Sequence, residues 1–184
     1  MSDYINADDA RLWEDGDAFR APANTSLPAD IFASTLPGWD PLGGIKAGFT
    51  VTTDRDITEL DVWNNKTGAA YRRKKGPKKP TLKFRPVDNS VATTLILLRG
   101  GSITTAGGGN EWVEGDDDEF GLILRVYDGP NKKAYFVARA ELNNIPEEVL
   151  NDDDIEGWDL EVGPLAPADG SRAVRKITTY NPLT

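Results

Sequence analysis

The 184-residue chain contains no cysteine and no histidine. Without cysteine there are no disulfides and no thiolate metal sites, so stability must come from packing or from association. Without histidine, Ser-His-Asp and Cys-His catalysis are excluded, along with imidazole metal ligation and the commonest general base near neutral pH. Any catalysis would fall to carboxylates, lysine or tyrosine. Long apolar runs are absent too. The most apolar stretch, Leu95 to Leu98, is four residues, far too short to span a bilayer. Met1-Ser2-Asp3-Tyr4 has neither the basic nor the apolar region of an export signal. The chain reads as a soluble, non-exported polypeptide. It shows no internal repeat, Walker loop, dinucleotide fingerprint or zinc spacing.

What the chain does have is unevenly placed charge. Thirty acidic and 21 basic residues leave a formal charge of −9. Nine of the basic residues fall between Lys66 and Arg85, a stretch without Asp or Glu. Its centre, Arg72-Arg73-Lys74-Lys75-Gly76-Pro77-Lys78-Lys79-Pro80, carries six positive charges, and the rest of the chain holds 12 basic against 30 acidic residues. Such an island could bind nucleic acid, sit in solvent, or dock on an acidic surface of an identical neighbour. Against nucleic acid stand the net negative charge and the lack of interleaved aromatics beyond Tyr71. Docking on a neighbour uses both charge populations, and head-to-tail contact between unlike surfaces builds open stacks.

The length suits one domain with appended arms. Residues 1–44 read as an N-terminal arm, because Ala21-Pro22-Ala23, Leu36-Pro37-Gly38 and Gly43-Gly44 interrupt every candidate element. Trp13, Phe19, Ile31, Phe32 and Trp39 give this arm enough apolar weight to pack on its own domain or on a neighbour. Residues 45–184 read as a β-sandwich. The expected strands are Phe49–Thr53, Ile57–Val62 after an Asp54-Arg55-Asp56 turn, Thr81–Arg85, Phe120–Tyr127, Ala134–Leu142, Trp158–Val162 and Ala173–Tyr180. The basic residues lie in a loop over 64–80, broken by Gly76, Pro77 and Pro80. One helix is expected at Val91–Leu98, capped from Asp88-Asn89-Ser90. The total is about seven antiparallel strands and one short flanking helix, a mainly β sandwich or barrel.

The remaining features read as structure. Glu114 to Glu119 and Asp152 to Glu156 could hide a glycosidase-type carboxylate pair, but an acidic chain offers such pairs throughout and a solvated turn is the plainer account. Asp152, Asp154, Glu156 and Gly157 match the first, third, fifth and sixth positions of a calcium loop. Gly163 stands where its bidentate Glu is needed, so no metal site is expected. Gly107-Gly108-Gly109 reads as a flexible linker. The five tryptophans are scattered and read as core or interface anchors.

The order of phrases is more specific. Ala18-Phe19-Arg20-Ala21-Pro22-Ala23-Asn24-Thr25-Ser26-Leu27-Pro28, followed by Pro41-Leu42-Gly43-Gly44-Ile45, resembles the opening of major tail tube proteins of long-tailed (siphophage-type) bacteriophages. There an Ala-Pro-x-x-Thr-x-Leu-Pro phrase precedes a Leu-Gly phrase and the first hairpin. Ile57 to Trp63 resembles that family's strand ending in Trp, and Leu82 to Gly100 its strand and short helix ending at Gly. Ala18 to Gly100 carries the likeness; the remainder shares mainly its hairpin-rich character.

The resemblance implies a non-catalytic structural virion protein without cofactors: a β-sandwich that closes with five copies into a hexameric ring. Rings stack head to tail into the tube through which the genome is delivered. Arms and a long loop between two early strands bridge successive rings, and that loop falls by position at Asn64 to Pro80. The inter-ring contact candidates are therefore Arg72, Arg73, Lys74, Lys75, Lys78 and Lys79. Expected partners are identical copies, the tape measure protein, and tail tip and tail terminator proteins, with viral DNA passing an acidic lumen without specific binding. The setting would be the virion tail, assembled in the host cytoplasm, with no membrane involved. A head-tail connector or decoration protein, and a carboxylate-based glycan hydrolase, are the rival readings.

Overall fold

The computed structural model describes residues 10–148, 150–181 and 183. Its strands are β1 (Asp15–Pro22), β2 (Asp40–Pro41), β3 (Ile45–Leu60), β4 (Arg72–Pro86), β5 (Ser102–Ala106), β6 (Gly109–Val113), β7 (Phe120–Asp128), β8 (Asn131–Leu142), β9 (Leu160–Pro164) and β10 (Arg175–Thr178). The helix α1 covers Val91–Leu98, as its spacing predicts, with Ser90 as N-cap accepting from the Thr93 amide. All pairings are antiparallel, in the order β2-β1-β7-β8-β9-β4-β3, with β10 also on β8 and β5-β6 a separate hairpin. The fold is mainly β with one helix, as expected.

The strand count is ten among the described residues, and each departure from seven has a local cause. Part of the expected arm is a strand: β1 pairs with β7 over its whole length, from Asp15↔Tyr127 to Pro22↔Phe120. Its alternation, with Ala18 on one face and Phe19 on the other, is short and lies just before Pro22, which hides it from a periodicity reading. Residues 1–9 of the arm lie outside the described residues. Asp54-Arg55-Asp56 is no turn; β3 runs through it without a break. The glycine linker is a hairpin turn as well. Gly107 and Gly108, at φ 60° and 84°, supply the two positive φ angles of a two-residue turn joining β5 to β6.

Two apolar clusters flank the central strands. Ala18, Leu122, Leu124 and Val137 face Leu82, Phe84, Leu160 and Val162 of β4 and β9, with Ala92 and Ile96 of α1 at the end. On the opposite face Phe19, Ile123 and Phe136 are covered by Ile31, Leu36 and Trp39 from the β1–β2 connection. β7 is thus buried on both sides, which explains its nearly continuous apolar run Phe120 to Leu124. That connection is clasped by Arg125. Its guanidinium donates to Asp17 at 2.7 Å and to the carbonyls of Ile31 at 3.1 Å and Ala33 at 2.7 Å. Phe19 stacks under it, 4.4 Å from ring centre to Cζ. Beside it, burial pushes the Tyr127 phenol up to about 12.

The β5–β6 hairpin is fixed to the end of α1 by two glycines. The Leu98 carbonyl accepts from both Gly101 and Gly115, each at 2.8 Å. A Cβ on Gly101 would run into the Val113 carbonyl and lie 2.6 Å from the Gly115 amide. Gly101→Ala should therefore displace the hairpin base and cost about 1–3 kcal/mol, read as a lower midpoint in urea unfolding. Gly109→Ala, where a Cβ meets nothing within 4 Å, should leave the midpoint nearly unchanged.

Candidate interaction surface

Beyond Leu82, β4 loses β9 as a neighbour, and β3 and β4 continue as a two-stranded ribbon. From Thr52↔Thr81 to Leu60↔Arg72 it is about 30 Å long at the usual rise per residue. Almost every residue of it is exposed on both strands. The basic stretch is thus a strand and not the loop over 64–80 that its glycine and prolines suggest. The reason is a bulge: register slips between Arg55 and Ile57, so Gly76 and Pro77 together oppose Asp56. A proline without an amide proton is tolerated at a bulge or where its nitrogen faces solvent, and the ribbon offers both. Arg55 Nε closes the bulge on the Gly76 carbonyl at 2.8 Å.

All six expected contact residues, Arg72, Arg73, Lys74, Lys75, Lys78 and Lys79, sit on exposed β4 positions. They are not equivalent. Arg73 pairs with Glu59 at 2.6 Å and Lys79 with Asp56 at 2.8 Å, and the Asp56 hydrogen bond raises the Lys79 ammonium above its ordinary value. Across from Arg72, Lys74 and Lys75 lie Leu60, Thr58 and Ile57, and across from Lys78 lies Arg55. Among the described residues those four have no ion-pair partner. Between Thr52 and Thr81 the ribbon carries eight basic and four acidic side chains, leaving 13 basic against 26 acidic elsewhere. Folding therefore softens the island, because β3 lays Asp54, Asp56 and Glu59 beside it.

The ribbon tip is apolar. Leu60 and Val62 are about half exposed, Tyr71 more so, and Trp63 is 98% exposed. A side chain that large rarely stands free on a monomer without a contact to make. Among the described residues the outer edge of β3 has no neighbour in the sheet, which suits it to pairing with a further strand.

The acidic runs are not simply solvated. Glu114 pairs with Arg99 at 2.7 Å, Asp118 with the nearly buried Arg20 at 2.8 Å, and Glu119 grips Arg139 through two oxygens, one at 2.6 Å. That hydrogen bond holds the Glu119 carboxyl below its ordinary value. Asp154 bonds Lys46 and also faces Arg85; its carboxyl is lowered chiefly by the Lys46 hydrogen bond.

A groove of about 600 Å³ opens between the end of α1, the β5–β6 hairpin and the segment after β8. Leu97, Ile103, Trp112, Ile145 and Trp158 line it, with Glu114, Glu148 and Glu156 at its rim. A bridge between Glu148 and Trp158 holds the far wall. Ile103, Trp112 and Ile145 are 41%, 45% and 74% exposed, an apolar patch without cover. The sequence reading missed both tip and groove. Leu60, Val62, Trp63 and Tyr71 bracket a turn opened by Asn64-Asn65 and containing Gly68, an apolar signal that a plain solvent turn does not carry. No protein-family model matches the sequence, and no curated protein matches it.

Proposed function

We propose that this chain is the tail tube subunit of a long-tailed bacteriophage, stacking as hexameric rings into the conduit for the viral genome. The observation that carries the reading is the β3–β4 ribbon. It projects from the sandwich where the tail tube resemblance puts the segment that bridges successive rings, with unpaired cations along it and an apolar tip. Two further features support it. The open β3 edge is suited to strand pairing between neighbours. The 26 acidic residues outside the ribbon suit a bore past which DNA must slide without adhering. Partners follow from the reading: identical copies first, then the tape measure, tail tip and terminator proteins. Negative-stain electron microscopy of the purified protein at rising concentration should show six-membered rings and tubes. A protein that stays monomeric at every salt and concentration, alone and with other tail proteins, refutes the reading.

A further inference from the structure

The ribbon tip and the apolar groove are the two unpartnered surfaces of the molecule that match each other in chemistry. The tip offers Trp63, with Val62, Leu60 and Tyr71 around it and Arg72 and Lys74 just behind. The groove offers an apolar floor and a rim on which Glu114 is paired with Arg99 while Glu148 and Glu156 have no ion-pair partner among the described residues. We propose that the groove is the receptor for the ribbon tip of a second copy of this chain, with the Trp63 indole seated on Leu97, Trp112 and Ile145. The proposal rests on the tail tube reading for the symmetry of the assembly, and on the two surfaces alone for the contact itself.

The occupant follows from three observations. Trp63 is 98% exposed, so the molecule does not fill the groove with its own tip. The charges are complementary: eight basic against four acidic side chains on the ribbon, and Glu148 and Glu156 in excess of the Arg99–Glu114 pair at the groove. A groove of about 600 Å³ has room for an indole, which buries up to about 250 Å² when enclosed. Because tip and groove are different surfaces, the contact is heterologous. A tip seated in a groove leaves the groove of the first copy and the tip of the second free, so the contact can propagate.

The test uses two full-length variants whose changes fall on exposed positions. Trp63→Ala removes the knob, and Ile145→Arg, at a residue 74% exposed, blocks the hole. Analytical ultracentrifugation is expected to show self-association weakened roughly 30-fold or more in each, the loss typical of a central aromatic anchor. Mixed in equal amounts, the two variants retain one intact tip and one intact groove, so a single-junction complex should form that neither makes alone. A mixture that behaves as the sum of its parts overturns the proposal, and so does wild-type-like association of either variant. Electron microscopy separates this from the tube reading. Tubes formed normally by Trp63→Ala refute the knob and leave the tube standing. Mixed-variant complexes from a protein that never makes rings or tubes refute the tube and leave the knob standing.

Discussion

Replacing Arg72, Lys74, Lys75 and Lys78 together with Glu is expected to abolish the proposed ring stacking and leave the sandwich folded. These four have no carboxylate opposite them on β3 and no ion-pair partner among the described residues, so reversing them breaks no ion pair there. The ribbon's formal charge moves from four positive to four negative, and its approach to a surface with an acidic excess turns from attraction to repulsion. Like-charge juxtaposition at an interface costs several kcal/mol, and each ~1.4 kcal/mol is tenfold in affinity. A loss of at least about 100-fold in stacking follows. Exposed substitutions usually lie within about 0.5 kcal/mol, and in a chain of this size ~1 kcal/mol moves the melting temperature by about 2–4 °C. The melt should therefore move by only a few degrees.

The choice of four is itself a structural result. Reversing Arg73 would set two carboxylates against each other at Glu59, and reversing Lys79 would do the same at Asp56. Like charges directly opposite destabilise a strand pair. A variant containing them would confound a bent ribbon with a lost contact. Salt supplies the control. Near 1 M the Debye length is about 3 Å, so high salt should weaken wild-type stacking and partly restore the reversed protein. Stacking that survives the reversal at low salt would remove the ionic contact. Retention of DNA by the wild type, lost on reversal while stacking persists, would return the basic strand to nucleic acid.

How much of this was legible in the sequence depends on the range of the interactions concerned. The α1 helix and the β7–β8 hairpin were readable because their signals are local: Ser90 before a run of helical spacing, and Asp128-Gly129-Pro130-Asn131 between two strand-like runs. The ribbon was misread because Gly76 and Pro77 normally break a strand. Only the residue they oppose, Asp56, shows that they form a bulge. The same long-range pairing hid the neutralisation of the island, since Glu59 and Asp56 lie 14 and 23 residues before their partners Arg73 and Lys79. The contact candidates were located by charge density and resemblance, and their inequality became visible only with the register. The groove joins residues from Asn89 to Trp158, and no pattern along the chain brings those together.

The largest effect on folding is expected at Asp17, a residue with no distinguishing mark in the sequence. Arg125 has a side chain only 4% exposed, and among the described residues Asp17 is its sole carboxylate partner. Asp17→Ala leaves a guanidinium in the interior with two carbonyls, those of Ile31 and Ala33, and no countercharge. Breaking a buried pair in this way costs about 3–5 kcal/mol. Asp17 itself is 42% exposed, so water can enter the vacated space, and the low end, about 3 kcal/mol, is expected. That corresponds to a fall of about 6–12 °C in the melting temperature. Arg125→Leu removes the charge along with its partners' donor. It should cost less than Asp17→Ala, about 1–3 kcal/mol for the two carbonyls left without a donor, even though the arginine makes more contacts than the aspartate. The double variant should lie within about 1 kcal/mol of Arg125→Leu, because once the buried charge is gone the half-exposed carboxylate keeps only its hydrogen bond from the Tyr127 hydroxyl. Urea unfolding of the four proteins completes the cycle. Strict additivity would mean that Arg125 and Asp17 act independently, and that Arg125 clasps the connection through the Ile31 and Ala33 carbonyls without help from Asp17.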